Sequence, residues 1–93
     1  MNKSQLIEAL AKAEGLTIKK AEMVINTIFG SVEDALILGD RVEIRGFGSF
    51  KVKDYDGYQG RNPKTGEIID VGKKKLPFFK VGKELKERVD SVD

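Results

Sequence analysis

The chain has 93 residues, with 17 Lys and Arg against 15 Asp and Glu, and neither histidine nor cysteine. That length makes one domain. A content of 40% hydrophobic and 34% charged residues is too apolar for disorder and too charged for a membrane protein. Without His or Cys, the commonest general base, the thiol nucleophile and the usual zinc ligands are missing.

No apolar run approaches the roughly 18 residues of a spanning helix. Met1-Asn2-Lys3-Ser4-Gln5 leads straight into an amphipathic pattern without a signal-peptide core, so the expected location is cytoplasmic. Net charge is only +2, but it is unevenly spread. Residues 1–50 hold 6 Lys and Arg against 7 Asp and Glu, a net of −1; residues 51–93 hold 11 against 8, a net of +3. A chain this small buries a modest share of its surface, so a core shared between two copies is expected.

The first helix is predicted over Lys3 to Glu14, with Asn2 as N-cap and Gln5 completing a capping box. Leu6, Ile7, Leu10 and Ala11 form its apolar stripe, and Gly15 supplies a left-handed stop. Thr17 caps the second helix, with Leu16 stapled onto Ala21. Ala21, Val24, Ile25, Ile28, Phe29, Val32, Ala35 and Leu36 follow helical spacing, and Gly39 ends the element. Gly30 inside it marks either close packing against another helix or a tolerated surface glycine.

Two short strands come next, 41–45 and 49–53, each alternating polar and apolar residues. Gly46-Phe47-Gly48 joins them in a tight turn, with Phe47 expected to pack inward. From Asp54 to Lys75 large aliphatics are scarce and glycines frequent. This segment reads as a two-stranded arm, 54–61 going out and 67–75 returning, with the turn signal Asn62-Pro63-Lys64-Thr65-Gly66 at its tip. Leu76-Pro77-Phe78-Phe79-Lys80 reads as a third strand, Pro77 suiting an edge or a strand start. The last helix is predicted from Lys83 to Val89, with Leu85 and Val89 facing inward and Lys83–Glu87 and Glu84–Arg88 at i, i+4.

The arm carries the chemistry. Gly60-Arg61-Asn62-Pro63-Lys64-Thr65-Gly66-Glu67, followed by Lys73, Lys74 and Lys75, puts cations and a proline at an exposed ribbon tip. A proline there cannot extend a ladder, but it can wedge between stacked bases beside a minor-groove arginine. That combination points to duplex DNA. No carboxylate cluster has metal-ligand spacing. Gly46-Phe47-Gly48 is not a dinucleotide fingerprint, because Lys51 holds the third glycine position and no helix follows. The expectation is no enzyme, no cofactor, no metal, no membrane and no small-molecule substrate.

The helix–helix–strand–strand–arm–strand–helix order resembles the HU/integration host factor family of bacterial DNA-bending proteins. The resemblance covers essentially the whole chain. It rests most on Gly46-Phe47-Gly48-Ser49-Phe50, Gly60 to Glu67, and Pro77-Phe78-Phe79-Lys80-Val81-Gly82-Lys83. It implies an α+β fold. Two N-terminal helices, a short antiparallel sheet extended into a two-stranded arm, and a C-terminal helix form an intertwined dimer. It implies one domain over 1–93, with 1–40 as helical dimerisation part, 41–53 and 76–93 as sheet and last helix, and 54–75 as DNA-binding arm.

By the same resemblance, Pro63 is the intercalating wedge, Arg61 and Asn62 lie in the minor groove, and Lys64 holds phosphate. Lys53, Tyr55, Tyr58, Lys73, Lys74 and Lys75 line the arm; Lys80, Lys83 and Lys86 form a basic flank, and Lys3 touches outlying DNA. Val24, Ile28, Phe29, Val32, Leu36 and Ile44 belong to the dimer core, with Phe47, Phe50 and Phe79 as packing residues. The implied role is a histone-like protein that binds the minor groove with low sequence specificity, bends DNA and compacts the nucleoid as a homodimer. Alternatives are a sequence-specific bender of the integration host factor type, a heterodimer with a paralogue, or a dimeric protein-interaction module with weak DNA affinity. Several positions depart from the family pattern. Lys53, Tyr55 and Tyr58 stand where arginine is frequent, Gly72 and Val81 where proline is frequent, and Asp54 and Asp56 lie in the outgoing strand, where they would oppose phosphate.

Overall fold

The computed structural model of the chain describes residues 1–91. The chain divides into two compact units, one up to Ala35 and one from Leu36 onward.

The first unit is helical. Helix α1 (Lys3–Glu14) starts at the predicted capping box: the Gln5 N–H donates to Asn2 Oδ1 and the Asn2 N–H to Gln5 Oε1, both at 2.9 Å. Gly15 closes it in the left-handed region, at φ 63°. Helix α2 (Ile18–Ile37) starts where the Lys20 N–H donates to Thr17 Oγ1 at 3.1 Å. Ile7, Ala11, Ala21 and Ile25 are buried together, with Leu6, Leu10 and Leu16 packed around them. On the same helix Val24, Ile28 and Phe29 stay exposed, at 39%, 51% and 49%. Among the described residues a Cβ at Gly30 would meet nothing within 4 Å, so no packing between them demands that glycine.

The second unit is a meander closed by a helix. Strands β1 (Val42–Ile44), β2 (Gly48–Tyr55) and β5 (Lys74–Val81) form an antiparallel sheet in the order β1-β2-β5. Strands β3 (Tyr58–Arg61) and β4 (Ile68–Val71) form a separate two-stranded ribbon. Strand β2 runs further than the alternation predicted, because Asp54 and Tyr55 pair with Lys75 and Lys74. Pro77 sits in mid-strand on the edge strand β5, opposite Val52, where its missing N–H breaks no ladder. Gly48 is needed for close approach: a Cβ would stand 2.6 Å from the Lys80 carbonyl oxygen and from the Phe79 ring. Phe79 gathers Phe47 and Phe50, with ring centres 5.6 and 4.8 Å away. Even so, Phe47 is 45% exposed, and no described residue from Leu36 onward is buried.

Helix α3 (Lys83–Asp90) follows directly. The Gly82 N–H donates to the Phe47 carbonyl at 2.8 Å and the Leu85 N–H to the Gly46 carbonyl at 3.1 Å, fastening its first turn to the β1–β2 turn. Lys83 and Glu87 form the predicted ion pair at 3.9 Å. Glu84 does not pair with Arg88 among the described residues; its carboxylate lies over Gly46 instead. Leu85 is half-buried as predicted, whereas Val89 is 68% exposed in this chain.

Candidate nucleic-acid interface

The arm is one ribbon with a gap, built on a single register. Tyr55 pairs with Lys74, and the next pair is Tyr58 with Val71. Two residues are skipped on each strand, Asp56 and Gly57 going out and Gly72 and Lys73 returning. Equal gaps preserve the register, so faces assigned near the body carry through to the tip.

Residues directly opposite in an antiparallel pair share a face. The register therefore sorts the arm's charges. One face holds Lys51, Lys53, Tyr55, Gln59 and Arg61 of the outgoing strand with Lys80, Lys74, Asp70 and Ile68 of the return. The other holds Asp54 opposite Lys75, then Tyr58 opposite Val71 and Gly60 opposite Ile69. Of the candidate residues, Lys53, Tyr55, Arg61, Lys74 and Lys80 thus share one face. Tyr58 and Lys75 are on the opposite side, and Lys73 lies in the gap, in neither strand. The carboxylate of Asp54 thus lies on the face away from Lys53.

On the first face, Lys53 is half-buried, its ammonium 3.6 Å from the centre of the Phe78 ring, with Lys51 6.0 Å from the same ring. The aromatic face offers a local attraction that holds the cation against the sheet. Sequence reasoning passed over Lys51, although strict alternation with Lys53 was the available signal. It also passed over Asp70, a carboxylate on this face next to Arg61 on the diagonal.

The tip is ordered by its own residues. The Asn62 N–H donates to the Glu67 carbonyl at 2.9 Å and the Gly66 N–H to the Asn62 carbonyl at 2.7 Å. The Lys64 N–H donates to Asn62 Oδ1 at 2.9 Å, an Asx turn around Pro63. Gly66 takes φ 73°, which the closing turn requires and glycine permits. Pro63, with no N–H to satisfy, is left exposed at the apex beside Arg61 and Lys64. Lys83 and Lys86 are exposed on α3, and Lys3 is exposed at the start of α1 in the helical unit. Among the described residues no helix is long and apolar enough to cross a membrane, and no group of His, Cys, Asp or Glu could hold a metal.

A helical hairpin, a three-stranded sheet drawn out into a ribbon with a cationic face and a proline apex, and a short closing helix define a nucleic-acid-binding class of protein. The family model described as bacterial DNA-binding protein matches residues 1–90, and the chain belongs to that family. Among solved structures it is similar to the HU protein of Anabaena in a cocrystal with DNA. The two share 35% identity at a TM-score of 0.90, covering 99% of this chain and 100% of that one. It is similar to HU from Thermotoga maritima, at 35% identity and a TM-score of 0.69, covering 96% and 98%. The solution structure of a mutant of transcription factor 1 matches at 27% identity and a TM-score of 0.66, covering 99% and 93%.

Proposed function

We propose that this chain is a histone-like protein that grips duplex DNA in the minor groove through its arm, bends it, and helps compact the bacterial nucleoid in the cytoplasm. The observation that carries this reading is the one-sided file of cations, Lys51, Lys53, Lys74 and Arg61, leading to the exposed Pro63 apex. Cations on one face track phosphates. A proline apex can enter a base step and kink the duplex toward the major groove. This mechanism is that of the family, whose Anabaena member was crystallised with DNA.

In this reading Pro63 is the wedge, Arg61 and Asn62 lie in the groove and Lys64 holds phosphate. Lys80, Lys83, Lys86 and Lys3 meet the flanking backbone. Tyr55 packs its ring along the sugar edge, Lys75 and Tyr58 act from the far side of the ribbon, and Lys73 acts from the gap. Residues 54–75 form the arm, and 1–40, 41–53 and 76–93 form one domain with it.

The working unit is a homodimer. A sheet unit in which no described residue is buried, together with exposed Val24, Ile28, Phe29 and Ile44, supports a core completed by a second copy. Half-buried Val32 and Leu36 belong to the same apolar face.

The test is a binding titration on linear, nicked and pre-bent duplexes at two salt concentrations. Tighter binding to nicked and bent DNA is expected, because part of the deformation energy is already met. Equal affinity for all three would remove bending from the reading, and no binding at low salt would remove DNA.

A further inference from the structure

The gap in the ribbon is occupied on its outgoing strand by an aspartate–glycine step. Asp56 and Gly57 lie between β2 and β3, belong to neither, and are both exposed. Among the described residues the Gly57 N–H donates to no backbone carbonyl, and the Asp56 carboxylate is in no ion pair. The ribbon itself demands glycine at 57, since a Cβ there would stand 2.8 Å from the Val71 carbonyl oxygen. The same absence of a Cβ leaves the amide nitrogen unshielded beside a free carboxyl group. The main chain here can also turn without breaking a ladder bond, so the local opening that cyclisation needs costs little.

We propose that Asp56–Gly57 is a site of spontaneous covalent modification, at which Asp56 cyclises to a succinimide and reopens as isoaspartate in the folded protein. The Gly57 nitrogen attacks Asp56 Cγ, forming an N–Cγ bond. The Cγ–OH bond breaks, and the hydroxyl leaves with the amide proton as water. Water then opens the ring. Cleavage of the N–Cγ bond restores aspartate. Cleavage between the nitrogen and the main-chain carbonyl carbon of Asp56 leaves the chain running through Cβ and Cγ. No oxidant, reductant or cofactor is consumed.

The isoaspartate adds one methylene to the outgoing strand alone. Equal two-residue gaps are what keep β3–β4 in register with β2–β5. An extra main-chain atom on one side offsets the tip from the body. The site is therefore an ageing lesion at the joint between the base of the arm and its tip.

Four other aspartates provide internal controls. Asp54 and Asp70 lie in strands and Asp34 in α2. At Asp40 the following Arg41 N–H donates to the carboxylate oxygen at 2.8 Å, and Arg41, unlike Gly57, carries a Cβ beside its nitrogen. The experiment incubates the full chain, folded and in parallel in denaturant, in mildly acidic heavy-oxygen water. Peptide mapping with electron-transfer fragmentation then reads label and linkage at each aspartate. The expected result is heavy oxygen and isoaspartate at residue 56 ahead of residues 34, 40, 54 and 70. The folded rate should lie within about tenfold of the denatured rate. Asp56→Glu, which keeps the charge but disfavours the ring, should lose the signal while the folded spectrum is unchanged. Labelling at Asp56 no faster than at Asp54 would overturn the proposal. So would a folded rate more than about tenfold below the denatured one.

Discussion

Asp54 lies directly opposite Lys75 on the ribbon face turned away from Lys53 and Tyr55. Its carboxylate therefore acts on the far side of the arm, whereas Asp70 stands on the cationic face, on the diagonal from Arg61. Asp70→Asn is predicted to tighten DNA binding by about twofold at low salt, the usual scale of one exposed charge. Asp54→Asn should do less. The gain should fade as salt rises through the screening range. Fluorescence anisotropy on one duplex at two ionic strengths checks this; an equal gain from both variants would mean that the faces do not separate the charges.

Salt dependence measures the phosphate contacts. Log affinity should fall linearly with log salt, by about 0.9 for each phosphate neutralised. Lys83→Ala should flatten the slope by about one unit. Its ion pair with Glu87 is 3.9 Å long and largely exposed, so melting should scarcely change. An unchanged slope would take Lys83 out of the interface.

The apex separates bending from binding. Pro63→Ala should reduce the bend angle, read by fluorescence transfer, more than it reduces affinity, because the cations remain. Arg61→Ala should weaken binding itself. Unstacking costs a few kcal/mol per step, so both effects should be largest on intact linear duplex. Unchanged bending by Pro63→Ala at saturating protein would remove the wedge.

Oligomerisation is tested on α2. Phe29→Asp puts a charge on the exposed apolar face and should shift sedimentation toward monomer, with loss of folded signal. For the native chain, melting temperature should rise with protein concentration, as for any dimer whose stability depends on association. A concentration-independent melt with a monomer mass would sink the shared core.

Gly30 gives a stability prediction of opposite sign. Its Cβ position is open, and it shares the helix side of Asn26 and Asp34 rather than that of Val24 and Ile28. Gly30→Ala should stabilise the protein by up to about 1 kcal/mol, the propensity difference alone. Destabilisation in a thermal melt would place a close partner on that side of α2.

Much of the architecture was legible locally. The Asn2–Gln5 capping box, the Thr17 cap, the Gly15 stop and the Asn62–Gly66 turn all formed as read. Each depends on groups two to five positions apart, so the amino acids themselves supply the partners. The order of elements and the family followed from the same local signals. The exposed turn at the apex was likewise plain from Asn62, Pro63, Lys64, Thr65 and Gly66 as a string.

What only the tertiary structure decided depends on pairing between distant residues. Which of Lys73, Lys74 and Lys75 joins Lys53 is set by the register of Tyr55 on Lys74; a slip of one residue would exchange the faces. That register separates Tyr55 from Tyr58, sends Asp54 to the far side and leaves Asp70 among the cations. Glu84 likewise lies over Gly46 rather than pairing with Arg88 along its helix, because hydrogen bonds from the start of α3 tie it to the β1–β2 turn. Composition counted the charges of this arm correctly, but only strand pairing, through its period of two, could say which side of the ribbon each one occupies.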